Sequence, residues 1–148
     1  VLEWTNRGCP FVKKFYKQGN MQAFQKKLTQ KGVVWLSILS SAPGKQGFLT
    51  ADESLAYLKK VKASPTQFLL DPAGFIGTTY GARTTPHMFV IDKQGILRYQ
   101  GAIDSIASVD SGDIENAENY VIDAVDALMN DKAIKISQTR PYGCSVKY

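Results

Sequence analysis

The sequence predicts an α/β domain of three layers, a central mixed sheet flanked by helices. Apolar runs over residues 1–5, 33–39, 66–70, 88–92 and 96–101 have the length and the β-branched or aromatic content of strands. Segments of helical spacing separate the first four, the pattern of crossover connections between parallel strands. Only Lys93, Gln94 and Gly95 join the last two, a reversal tight enough for an antiparallel hairpin. Parallel crossovers plus one hairpin make the sheet mixed.

Each element follows from local chemistry. Residues 1–5 form a short apolar, β-prone strand that ends at Asn6, Arg7 and Gly8, residues suited to a turn. Pro10 then stands where a first helical residue often does, because its missing N–H would have no helical partner there. Phe11, Phe15 and Tyr16 recur at helical spacing, and Met21, Phe24, Gln25 and Leu28 resume it after Gly19 and Asn20, so one helix is expected with a break. Residues 33–39 (VVWLSIL) read as a buried strand and residues 40–47 as a loop. Thr50 and Glu53 make a capping box that opens a helix through Leu55, Leu58 and Val61. Residues 66–70 are the third strand and 72–81 a helical turn region. After the hairpin, residues 104–112 read as a polar loop. Residues 113–129 then carry Ala117, Tyr120, Val121, Ala124, Val125 and Leu128 as one apolar stripe of a single amphipathic helix. Residues 1–130 thus make the domain, and 131–148 an irregular tail carrying Cys144.

The chain has 148 residues, the size of one domain with one core. Hydrophobic residues make up 44% and charged residues 21%, which excludes low-complexity disorder. No apolar run approaches the roughly 20 residues needed to cross a bilayer as a helix, so no membrane span is expected. The chain begins inside a strand without an initiator Met and reads as a fragment, any signal peptide lying upstream. Net charge is +5, and residues 1–32 hold seven basic side chains against Glu3 alone. Those lysines fall between the apolar positions of a helix, as on a solvated face, and no recognition motif accompanies them. A nucleic-acid partner is not expected.

The inventory of reactive groups is short: Cys9, Cys144 and one histidine, His87. It excludes zinc sites of four cysteines or of two cysteines and two histidines, and no nucleotide-binding loop is present. No cofactor or metal is implied. Cys9 is the residue of interest, because it follows a strand and immediately precedes a helix. There its sulfur faces free backbone N–H groups and the positive end of the helix dipole, which favour a thiolate, expected here to be partly exposed and nucleophilic; the alternative is a small, buried apolar residue, common for a free cysteine. Arg7, Lys13 and Lys14 lie close in sequence and act in the same direction.

Two motifs, E-W-T-N-R-G-C-P-F over residues 3–11 and T-T-P-H-M-F-V-I-D over residues 84–92, resemble the thioredoxin superfamily. The ending P-Y-G-C-S-V-K-Y over residues 141–148 is similar to the peroxiredoxin-like, AhpC/TSA-related redoxin proteins of bacteria. The resemblance covers the whole chain. It implies a thioredoxin-like fold in which Cys9 matches the first cysteine of C-x-x-C, Pro10 the residue after it, and Pro86 a cis-proline lying against the active-site sulfur. Thr85 would orient a substrate peptide, and Pro10, Phe11, Thr84 and His87 would line its site. His87, beside Pro86, either lends a proton near the sulfur or, as is commoner for a lone histidine, is a hydrogen-bonded packing residue. Glu3 stands at the offset of the family's buried acid and would accept a proton, unless it forms a salt bridge to a lysine.

The departures shape the chemistry. Val12 replaces the second cysteine of C-x-x-C, so a local dithiol cycle cannot run, and Leu2 and Asn6 occupy the Pro and Thr positions of the peroxiredoxin pattern. Cys144 is the only possible intramolecular partner for Cys9. A mobile tail would bring it over the site at modest closure entropy, giving a Cys9–Cys144 disulfide. Otherwise the tail packs elsewhere, and Cys144 is free or pairs between chains.

The expected function is that of a thiol-based oxidoreductase, with Cys9 as nucleophile and Cys144 as resolving thiol. Its partners would be a protein or small-molecule disulfide, or a peroxide, and a thiol electron donor. The alternatives are a thiol peroxidase of peroxiredoxin type and a redox-inactive binding module of thioredoxin fold. The two cysteines and the resemblance point to a periplasmic or otherwise extracytoplasmic location, with the cytoplasm as the alternative.

Overall fold

A computed structural model describes residues 1–148. In chain order the elements are β1 (Leu2–Trp4), α1 (Pro10–Lys17), α2 (Asn20–Thr29), β2 (Leu36–Leu39), α3 (Ala51–Val61), β3 (Gln67–Leu70), α4 (Phe75–Tyr80), β4 (Thr84–Thr85), β5 (His87–Ile91), β6 (Leu97–Gly101), a 3-10 turn (Ser111–Asn116), α5 (Tyr120–Met129) and β7 (Cys144–Ser145). The main sheet runs β3-β2-β1-β5-β6, parallel from β3 to β1 and antiparallel from β1 to β6. This is the mixed, thioredoxin-like three-layer arrangement expected from the sequence.

Alternation along the strands builds the two faces. Leu2 and Trp4 point to one side with Ile38 and Phe89, where α4 covers them through Ile76. Val1, Met88, Val90 and Tyr99 point to the other, where Val12, Phe15 and Tyr16 of α1, Met21 and Leu28 of α2, and Val121, Ala124 and Val125 of α5 complete the larger core. Glu3 lies on that same face, opposite Ser37 on β2 and Met88 on β5. Gly19, at φ +83, supplies the left-handed residue that ends α1 and starts α2 in a new direction. The capping box forms: Thr50 accepts from Glu53 N–H while the Glu53 carboxylate accepts from Thr50 N–H.

Three expectations are corrected. The strand read over residues 33–39 begins only at Leu36, because β1 offers partners no earlier than Val1, whose carbonyl accepts from Leu36 N–H; Val34 is 56% exposed. The helix read over residues 113–129 is two pieces. Glu118 backbone pairs with Ser105, Ala117 is extended, and Asn119 caps α5 by accepting from Ile122 N–H, so the regular helix opens at Tyr120. Lys14, read with its neighbours as part of a solvated face, is buried. Its partner Asp104 comes from a distant loop, which spacing cannot reveal.

Residues 131–148 contain little regular structure but are fastened along their length. Thr139 hydroxyl accepts from Ala102 N–H at 2.9 Å and pairs with the Tyr99 hydroxyl at 2.7 Å. Further on, Tyr142 donates to Asp104, β7 pairs with β4, and the Tyr148 hydroxyl donates to the Ala82 carbonyl at 2.8 Å. No helix is long and apolar enough to cross a membrane.

Candidate active site

The turn after β1 is built by Asn6, whose side-chain oxygen accepts from Gly8 N–H at 2.8 Å while its carbonyl accepts from Cys9 N–H at 3.0 Å. This delivers Cys9 as the N-cap residue of α1, with Pro10 at the first helical position. Cys9 is 0% exposed and belongs to the larger core. The expected partial exposure is therefore overturned: the residue lies at the helix mouth, but the tail closes over it.

Opposite Cys9 the Thr85–Pro86 bond is cis. The Cys9 thiol donates to the Thr85 carbonyl at 3.0 Å. The Thr85 hydroxyl is buried beside the same sulfur and has no other group to bond. On the other side of Thr85 stands the tail, since β7 pairs antiparallel with β4 in the register Thr84 with Ser145 and Thr85 with Cys144. That ladder brings Cys144 within 2.9 Å of Cys9, both as free thiols. Gly143 makes the approach possible: at φ +134, a Cβ there would run into the Thr85 carbonyl.

Electrostatics separate the two thiols. Burial pushes Cys9 up, but hydrogen bonds from the Cys144 side chain, from Thr85 and from backbone N–H groups of Cys144 and Val12 outweigh it and hold Cys9 below an ordinary thiol. Burial, the hydrogen bond given to Cys9 and the negative Cys9 sulfur push Cys144 up to about 11, against a smaller opposing pull from Lys147. Of the two thiols, Cys9 is therefore the one that ionises more readily. The favourable groups are hydrogen-bond donors rather than the neighbouring cations, because Lys14 is committed to Asp104 at 3.3 Å and to the Ile106 carbonyl at 3.0 Å.

The other anticipated residues divide. Phe11 reaches the site's rim, its ring edge-on to Tyr142 at 5.7 Å, and Pro10 is exposed at the helix start. The Thr84 hydroxyl donates to the Pro86 carbonyl at 3.0 Å and so braces the turn. His87 makes no hydrogen bond to either cysteine. Its Nδ1 accepts from Arg83 N–H at 3.2 Å, its ring packs 4.5 Å from Phe89, and burial together with the nearby Arg83 charge lowers it to about 4. It is a neutral packing residue.

Glu3 is fully buried and pairs with no lysine. Its carboxylate accepts from the Tyr16 hydroxyl at 2.9 Å, Gln25 Nε2 at 3.2 Å, Trp35 Nε1 at 2.9 Å and the Ser37 hydroxyl at 2.7 Å, with no bond to Cys9. Sequence reasoning missed Tyr142, Asp104 and Lys14, which together dock the tail; the only signal was an aromatic two residues before Cys144. No three His, Cys, Asp or Glu side chains converge as a metal site. A cleft of about 880 Å³ beside Val1, Val34, Arg98 and Val125 lies away from both cysteines and shares no residue with this site.

No family model and no curated protein matches the chain. Solved structures do. A hypothetical protein of Sinorhizobium meliloti superposes with a TM-score of 0.81 at 23% identity, over 99% of this chain and 78% of its own. An uncharacterized conserved protein of Geobacillus kaustophilus superposes with a TM-score of 0.82 at 20% identity, over 99% of this chain and 75% of its own. At these identities the likeness is one of fold.

Proposed function

We propose that the protein is a thiol–disulfide oxidoreductase of thioredoxin-like type whose redox pair is Cys9 and Cys144. The approach of the two sulfur-bearing residues to 2.9 Å, from opposite ends of the chain, carries this reading. The unequal acidities support it, since exchange needs one sulfur as thiolate and a second within reach. In the forward direction a substrate disulfide gains two electrons and leaves as two thiols, while the pair loses two electrons and closes as a Cys9–Cys144 bond. From the sequence, Cys9 is expected to attack the substrate and Cys144 to resolve. Because Cys9 is enclosed, the order we infer is the reverse, the substrate sulfur bonding Cys144 first and Cys9 then attacking Cys144 and expelling it. A low-molecular-weight or protein thiol restores the dithiol, and a peroxide is the alternative oxidant.

The test is reduction of insulin or glutathione disulfide by wild type and by Cys9→Ser. A loss of about tenfold or more in the variant is expected, and equal rates overturn the reading. Mapping the oxidised protein without reductant should yield a Cys9–Cys144 cross-link; a free, alkylated Cys144 beside an oxidised Cys9 excludes it. Hydrogen peroxide consumption coupled to a thiol donor separates a peroxidase from a disulfide reductase. The complete enclosure of Cys9 favours a second reading, a binding module without turnover, which holds if neither assay shows a Cys9-dependent rate.

A further inference from the structure

We propose that external thiols exchange with this pair at Cys144: an incoming thiolate attacks the Cys144 sulfur of the oxidised protein, and Cys9 leaves. The inference rests on the redox reading above and adds which sulfur meets the outside.

Attack of a thiolate on a disulfide proceeds in line, from the side opposite the leaving sulfur. A nucleophile aimed at Cys9 with Cys144 leaving would have to arrive from behind Cys9. Cys9 belongs to the larger core with Val12 and Phe15 and has no exposed surface at which it could be met. A nucleophile aimed at Cys144 arrives on the outer side of β7. Cys144 is half-buried, with part of its surface open to solvent. Of the two cysteines only Cys144 has exposed surface while the tail stays docked by Thr139, Tyr142 and Tyr148. The leaving side agrees, because Cys9 departs at the N-terminal mouth of α1, beside the otherwise unpartnered Thr85 hydroxyl.

The step balances. Thiolate RS⁻ forms a bond to the Cys144 sulfur, the Cys9–Cys144 bond breaks, and the electron pair leaves on Cys9. A second RS⁻ attacks the external sulfur of Cys144–S–S–R and releases RSSR. Cys144 then takes a proton from water and returns it to the hydrogen bond with Cys9. Two thiols are oxidised to one disulfide and the protein disulfide is reduced to two thiols. Run backwards, the same path makes Cys9 the sulfur that expels the external thiol.

The probe is glutathione. Oxidised wild-type protein is mixed with excess reduced glutathione, quenched in acid within the first turnover, alkylated and mapped. Glutathione should sit on the Cys144 peptide about tenfold or more over the Cys9 peptide; equal loading, or more on Cys9, overturns the proposal. Single-thiol variants give an independent measure. Cys144 in Cys9→Ser should react with Ellman's reagent at pH 7 about tenfold faster than Cys9 in Cys144→Ser, although Cys9 is the more acidic thiol, and the reverse order overturns the proposal. If oxidation leaves Cys9 and Cys144 unlinked, the redox reading itself fails and takes this inference with it. A cross-link with glutathione on Cys9 defeats the inference alone.

Discussion

Lys14 and Asp104 meet at 3.3 Å with side chains 0% and 2% exposed, and Tyr142 donates to the same carboxylate from the tail. A buried charge pair of this kind is sensitive to loss of one partner, which leaves the other charge without compensation. Because Tyr142 precedes Cys144 by two residues, the pair also governs where the second thiol sits.

Asp104→Asn should therefore lower stability by about 3–5 kcal/mol in denaturant unfolding, since Lys14 stays buried without its counter-charge. The double variant Lys14→Met with Asp104→Asn should lose clearly less than Asp104→Asn alone. Additive losses would show that the two charges act independently.

Gly143→Ala should loosen the tail. The new Cβ meets the Thr85 carbonyl, which is backbone and cannot swing aside, and the positive φ adds strain. Alkylation of Cys9 in the reduced protein should accelerate by about tenfold as the cover lifts. An unchanged rate would mean that β7 does not gate Cys9.

Thr85→Val keeps shape and removes the hydroxyl beside the Cys9 sulfur. The midpoint of the Cys9 alkylation-rate profile should move to higher pH, and Thr85→Ser should restore it. Overlapping profiles for all three proteins would assign the hydroxyl no part in holding the thiolate.

Glu3→Gln should cost about 1–3 kcal/mol, because an amide turned toward four donors cannot accept from all of them. The Cys9 midpoint should stay where it is, as no hydrogen bond links Glu3 to the sulfur. A shifted midpoint would return Glu3 to the role of proton acceptor.

His87 sets a pH window. Its folded value of about 4 lies below the ordinary 6.5, so the unfolded chain binds more protons between them. The contribution is present in full above about 6.5 and is lost as pH falls toward about 4. The stability of wild type minus His87→Gln should fall across that interval and be flat above it. A flat difference throughout would mean that His87 is not held neutral by burial.

How much of this was legible depended on the range over which each determinant acts. The strands, the hairpin turn at Lys93 to Gly95 and the Thr50 capping box rest on contacts within a few residues, and periodicity alone reveals those. Cys9 at a helix start was legible for the same reason. The break at Ala117 was not, because the apolar stripe of residues 113–129 continues through it and Ser105, from another loop, ends the helix.

Composition, spacing and local capping set the layers, the order of the strands along the chain and the identity of the two thiols. Tertiary structure alone decided that Lys14 is inside, that Glu3 holds four neutral donors, and that the last residues pair with Thr84 and Thr85 to cover Cys9. Those outcomes turn on which distant groups satisfy a buried charge or a free backbone edge, and such partners are chosen by packing in three dimensions, where sequence separation carries no information.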